Sequence, residues 1–109
     1  MPMTIQEIDQ AATRRIRAAR EPLIAALTAA AQGKPWHYLL FGSLARGTAR
    51  RGSDADIAIL DAGERRAEAE RAAWEACKTL GLKGDVMLWE DLADYVRARA
   101  EREGVRCGA

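Results

Sequence analysis

Apolar residues recur every three or four positions between Thr4 and Gln32: Ile5, Ile8, Ala12, Ile16, Ala19, Leu23, Leu27 and Ala30. That period predicts helix. Thr4 and Glu7 have the spacing of a capping box, and Gly33 with Pro35 marks the stop. Pro22 interrupts the run and predicts a kink or two consecutive helices. The pattern then changes. Trp36 to Phe41 is almost continuously apolar between Pro35 and Gly42, as expected of a buried strand. Leu44 to Arg46 has the length of a short helical turn. Asp56 to Leu60 is rich in branched apolar residues and predicts a second strand. Arg65 to Leu80 reads as helix, with Trp74, Cys77 and Leu80 expected on one face and Gly81 as terminator. Asp85 to Trp89 predicts a third strand, in which Asp85, Met87 and Trp89 alternate with Val86 and Leu88. Leu92 to Glu103 predicts a last helix, capped by Asp91 and ended by Gly104. The tail from Val105 is expected to fray. No repeat, linker or low-complexity tract interrupts this order. The expectation is an α/β (α+β) domain, a small mixed three-stranded sheet flanked by helices in the order α-β-β-α-β-α.

Bulk composition narrows this only a little. The 109 residues suit one small domain, and none of that length is spare for burying a core. Lys and Arg number 17 against 16 Asp and Glu, a formal net charge of +1, so charge alone favours no nucleic-acid partner. The one basic cluster, Arg14, Arg15, Arg17 and Arg20, reads as a solvated helix face. Cys77 and Cys107 do not form a disulfide framework; Cys77 is expected to be buried and Cys107 exposed. No apolar run approaches the roughly 18 residues of a membrane span, and the polar start from Met1 to Gln10 is not a signal peptide. A cytoplasmic protein is the expectation.

Connection lengths decide how the elements pair. Only the eleven residues Gly42 to Gly52 precede the second strand region. A parallel crossover needs a dozen or more, so the first two strands are expected to be antiparallel. A full helix links the second strand to the third, which suits a right-handed parallel crossover. Both rules bring Gly42, Ser43, Asp54, Asp56 and Asp85 to one end of the sheet.

Three carboxylates there have a chemical consequence. Asp54 and Asp56 are two apart, so a strand would point both to one face. Two carboxylates about 4 Å apart repel by roughly 1 kcal/mol in water and about 4 at an effective dielectric of 20. A bound cation relieves this, and oxygen-only ligands favour Mg²⁺ or Mn²⁺. Two such ions sharing Asp54 and Asp56 would clamp an in-line attack on phosphorus. Gly42 lets backbone approach a phosphate, Ser43 offers a hydroxyl and an N–H, and Arg46 has two open roles, a charged fork to the same anion or a surface salt bridge. Asp85 has two open roles, proton acceptor or metal ligand.

The run Gly42-Ser43, ten residues, Asp54-Ala55-Asp56, followed by Asp85, resembles the minimal nucleotidyltransferases of the DNA polymerase beta-like superfamily. Their pattern is Gly-Ser, ten residues, Asp-x-Asp and a third acid on a later strand. Ala55 departs mildly, since a larger apolar residue is common there, and that does not touch the chemistry. The resemblance spans nearly the whole chain. It implies a single nucleotidyltransferase domain over 1–109, with Asp54, Asp56 and Asp85 catalytic and metal-holding. It also implies Gly42, Ser43 and Arg46 at the nucleotide, two Mg²⁺ ions with Mn²⁺ as substitute, and ATP as substrate. Larger relatives carry a second domain that selects the acceptor, for which this length leaves no room. Stand-alone proteins of this kind are often antitoxins of an all-helical HEPN-domain toxin, an RNase. Some transfer AMP from ATP to a tyrosine of that toxin. The resemblance therefore implies a hetero-oligomer with a HEPN-type partner, away from membranes and without direct nucleic-acid contact.

Two alternatives stay open: an antitoxin that neutralises by occlusion alone, and the catalytic subunit of an enzyme for a small-molecule or RNA acceptor. A P-loop over Gly42 to Thr48 is rejected, because the Lys is absent and no full crossover helix follows. His37 reads as a core or edge-strand residue, and Trp36, Trp74 and Trp89 as packing.

Overall fold

The computed structural model describes residues 2–108. Helix α1 spans Ile5–Ala18 and α2 spans Arg20–Ala31, with the break at Ala19. Pro22 explains the position of the break. Its ring would clash with the carbonyl of residue 18, so the helix restarts with proline in its first turn, where the missing N–H costs nothing. Thr4 caps α1 by accepting from the Glu7 N–H at 3.1 Å, and its hydroxyl donates to the Glu7 carboxylate at 3.1 Å.

Strand β1 is His37–Phe41, followed directly by the short helix α3, Gly42–Arg46. Strand β2 is Ala55–Leu60, helix α4 is Arg66–Thr79 and strand β3 is Gly84–Leu88. Helix α5 is Asp94–Glu103 and strand β4 is Val105–Cys107. The sheet order is β3-β2-β1-β4, with β1 antiparallel to both β2 and β4, and β2 parallel to β3. The two pairings expected from connection lengths are both present.

The two faces of the sheet differ. Tyr38, Leu40, Ile57 and Ile59 are buried with Leu23, Leu27, Ala69, Ala73 and Cys77, so one face packs under α2 and α4. Tyr38 donates its hydroxyl to the Ala69 carbonyl at 2.6 Å, tying β1 to α4. Residues alternate across a strand, which turns Leu39, Phe41, Asp56, Asp85 and Met87 to the opposite face. There Gly104, directly after α5, covers Leu39: a Cβ on it would lie 2.8 Å from Leu39 Cγ. The rest of that face holds the site.

Four expectations are corrected. The sheet has four strands among the described residues, because the tail from Val105 pairs with β1 instead of fraying. Cys107 is consequently buried at 0% exposure, with its thiol pushed up to about 11 by burial. A strand paired along an edge satisfies the backbone groups that a frayed tail would leave to water. The last helix begins at Asp94 with Ala93 at its N-cap, since Trp89–Asp91 forms a separate 3₁₀ turn. Finally, the buried stripe of α4 is Ala69, Ala73 and Cys77, whereas Trp74 is 44% exposed at its edge. His37 is buried as expected of a core histidine; burial first, then Arg106, lowers its pKa.

Candidate active site

The sheet register builds the site. Phe41 pairs with Asp56 across the antiparallel ladder, and Asp56 pairs with Asp85 across the parallel one. Partners in register share a face, so Asp56 and Asp85 stand side by side. Asp85 is the second residue of β3, with Gly84 before it. A cleft of about 470 Å³ opens over this row. Gly42, Ser43, Arg46, Asp56 and Asp85 line its polar side, and Met87, Leu92, Ala93 and Val96 its apolar side, with Phe41, Asp91 and Arg99 completing the wall.

Gly42 sets the closest approach. The chain leaves β1 with Phe41 extended, then turns at Gly42 with φ +76°. A Cβ at Gly42 would sit 2.1 Å from Asp56 Oδ2. No side chain fits between the turn and the carboxylate, and residues other than glycine resist that φ. The turn is closed by the Thr48 N–H donating to the Ser43 carbonyl at 2.9 Å.

Asp56 carries the clearest electrostatic signature. Burial is the first cause lifting its pKa to about 6; Asp85 and then Asp54 add repulsion, while Arg46 pulls the other way. A cleft carboxylate perturbed by burial and like charges is a functional-site signature. Asp54 stands just before β2, exposed, and lines a neighbouring depression with Trp74, Lys83, Gly84 and Asp85. Asp85 borders both hollows. Arg46 lines the cleft, but its guanidinium pairs with Glu103 at 2.9 Å, joining α3 to α5.

Oxygen donors suit a hard divalent cation, and the raised Asp56 pKa is the strain such an ion would relieve. Among the described residues, no three His, Cys, Asp or Glu side chains converge to hold a metal by themselves. Mg²⁺ does not require such a cage: it typically takes one or two carboxylates and completes its shell with phosphate oxygens and water. The residues present fit that ion together with a nucleotide.

The helices before the sheet brace this turn. Arg17 Nε donates to the Ala49 carbonyl at 2.8 Å and Arg20 Nε to the Ala45 carbonyl at 3.0 Å. Thr13 accepts from the Arg51 N–H at 3.2 Å. Arg14 and Arg15 are exposed as the sequence implied, whereas Arg17 and Arg20 hold the loop between Gly42 and Asp54. Sequence reasoning also missed part of the cleft wall. Met87 was recoverable, being two residues beyond Asp85 on the same strand. Leu92, Ala93, Val96 and Arg99 carry no such signal, because only packing brings α5 beside α3.

No curated protein matches the chain. A family model described as the nucleotidyltransferase domain matches residues 35–107, which runs from just before β1 to the end of β4 and contains all of the acids and the glycine turn. More than half of the sequence is covered. A glycine-serine turn pressed against paired strand-end aspartates is thus found where that match lies, and the chain belongs to the nucleotidyltransferase domain family, within the DNA polymerase beta-like superfamily.

Proposed function

We propose that the protein is a Mg²⁺-dependent adenylyltransferase that moves AMP from ATP to a tyrosine of a HEPN-type toxin, and so acts as its antitoxin. The observation that carries the catalytic part is the contact between the Gly42 turn and Asp56, with Asp85 in register beside it. The partner and acceptor rest on the resemblance of the motif.

In this reading the nucleotide phosphates lie against Gly42 and Ser43, which line the cleft and offer backbone N–H groups and the Ser43 hydroxyl. The acceptor hydroxyl attacks the α-phosphorus, a new P–O bond forms, and the bond to the β-phosphate oxygen breaks to release pyrophosphate. Asp85, exposed and bordering the cleft, takes the proton of the hydroxyl. Asp54 and Asp56 would hold two Mg²⁺ ions, or Mn²⁺, which would supply charge neutralisation at the attacking and leaving oxygens. The apolar wall of Met87, Leu92 and Val96 offers a dry surface to the base or to an aromatic acceptor.

The test uses the intact protein, its HEPN-type partner, Mg²⁺ and ATP labelled at the α-phosphate. Label on the partner's tyrosine, lost in Asp54→Ala/Asp56→Ala, is the expected result. Label on RNA or a small molecule would replace the acceptor. Full neutralisation by the double variant would replace catalysis with occlusion.

A further inference from the structure

The geometry points to Arg99 as the side chain that binds the β- and γ-phosphates of the incoming nucleotide, a role the motif assigns to no residue on α5. This rests on the nucleotidyltransferase reading of the cleft. Two arginines line that cleft, Arg46 and Arg99. Arg46 is engaged by Glu103. Glu103 and Arg99 are four apart on α5 and therefore neighbours on one helix face. Glu103 would be the natural local partner of Arg99, yet its carboxylate is turned to Arg46 across the helix pair. Arg99 makes no ion pair among the described residues, although Asp56, Asp85 and Asp91 line the same cleft.

The relative positions matter as much as the pairing. Helix α3 packs beside α5, and the Arg46–Glu103 contact fixes the last residue of α3 against the last of α5. Arg99 lies one turn earlier on α5. One turn earlier on α3 are Gly42 and Ser43, which share the cleft with Arg99. A triphosphate whose α-phosphate rests on Gly42-Ser43 adds its charge to that of Asp54 and Asp56, and the total exceeds what two divalent cations neutralise. A planar, always-charged fork on the facing helix is suited to the far phosphates, including the pyrophosphate that leaves.

The experiment is a binding titration of the full chain in Mg²⁺, using a non-hydrolysable ATP analogue and, separately, AMP and inorganic pyrophosphate. Arg99→Gln is expected to weaken the ATP analogue and pyrophosphate about tenfold or more while leaving AMP within about twofold. Arg99→Lys should recover part of the loss, because charge returns without the fork. Arg97→Gln is the control: Arg97 sits on the same helix, pairs with Asp94 and does not line the cleft. Equal losses for AMP and the analogue would make Arg99 a structural residue and overturn the proposal. Unchanged binding in Arg99→Gln, with the unaltered protein binding normally, would overturn it while leaving the nucleotidyltransferase reading in place. Failure of the unaltered protein to bind any nucleotide would remove both.

Discussion

Gly42 and Asp56 are held so close that the smallest side chain at position 42 would overlap a carboxylate oxygen, at 2.1 Å from Oδ2. Gly42 directly follows β1 and Asp56 lies on the adjacent antiparallel β2, so the Phe41–Asp56 register brings the turn beside the acid. Two constraints therefore meet at one residue, a positive φ and a missing Cβ. Gly42→Ala is expected to displace Asp56 and reduce nucleotidyl transfer at least about a hundredfold, a loss in keeping with small displacements of positioned groups. It should also cost on the order of 1–2 kcal/mol of stability. Activity and a denaturant titration check the two effects. Normal turnover in Gly42→Ala would mean that the close approach has no role in catalysis.

The raised pKa of Asp56, about 6, has a calculable sign. Relative to its unfolded value the folded protein holds this proton more tightly, so between roughly pH 4 and 6 the folded state binds more protons. Stability from this group is thus present at low pH and is lost as pH rises through 6. Asp56→Asn removes the effect. At pH 7.5 without divalent cation the variant should be more stable than the parent, by on the order of 1 kcal/mol after allowance for solvent screening. At pH 4 the difference should vanish. The same substitution should abolish transfer. Thermal unfolding at the two pH values measures the first effect, and a variant less stable than its parent at pH 7.5 would contradict the burial penalty and the repulsion from Asp85 and Asp54.

Cys77 and Cys107 are both buried, and burial raises both thiols, Cys107 to about 11. At pH 8 neither should react with an aromatic disulfide reagent until denaturant is added. Rapid labelling of Cys107 in the native protein would mean that β4 leaves the sheet in solution. Removing residues 104–109 should likewise cost stability, because β1 would lose its β4 neighbour and Leu39 its cover.

Arg17 and Arg20 donate to carbonyls at Ala49 and Ala45, and so fasten the segment between the glycine turn and Asp54 to the first two helices. Arg17→Met/Arg20→Met keeps most of the apolar stem and removes the donors. The expected outcome is a fall in kcat of roughly tenfold, with each lost charged hydrogen bond worth about 1.5–3 kcal/mol of loop order, and a smaller change in KM for ATP. Steady-state kinetics separate the two. A loss confined to KM would assign these arginines to the nucleotide itself.

The local order of elements was settled by short-range rules that the chain states openly. Pro22 divides the first helical run, the 3.6 period marks α4, and the eleven residues Gly42 to Gly52 ahead of the second strand region favour antiparallel pairing. From those rules the gathering of Gly42, Ser43, Asp56 and Asp85 follows, because pairing direction decides which strand ends are neighbours. Other features depend on contacts between residues far apart in sequence. Val105–Cys107 is three residues long and has no pattern of its own; it is a strand because β1 offers an unpaired edge. Arg46 and Arg99 look alike in sequence, and only the approach of α5 to α3 gives one a carboxylate partner and leaves the other facing the cleft. Asp54 and Asp56 share a strand period, yet the strand begins between them at Ala55, so one is half-buried in the cleft and the other stays exposed beside it. Periodicity and turn chemistry act within a few residues along the chain, whereas burial and charge pairing are set by what lies across from each side chain, and that only the folded arrangement decides.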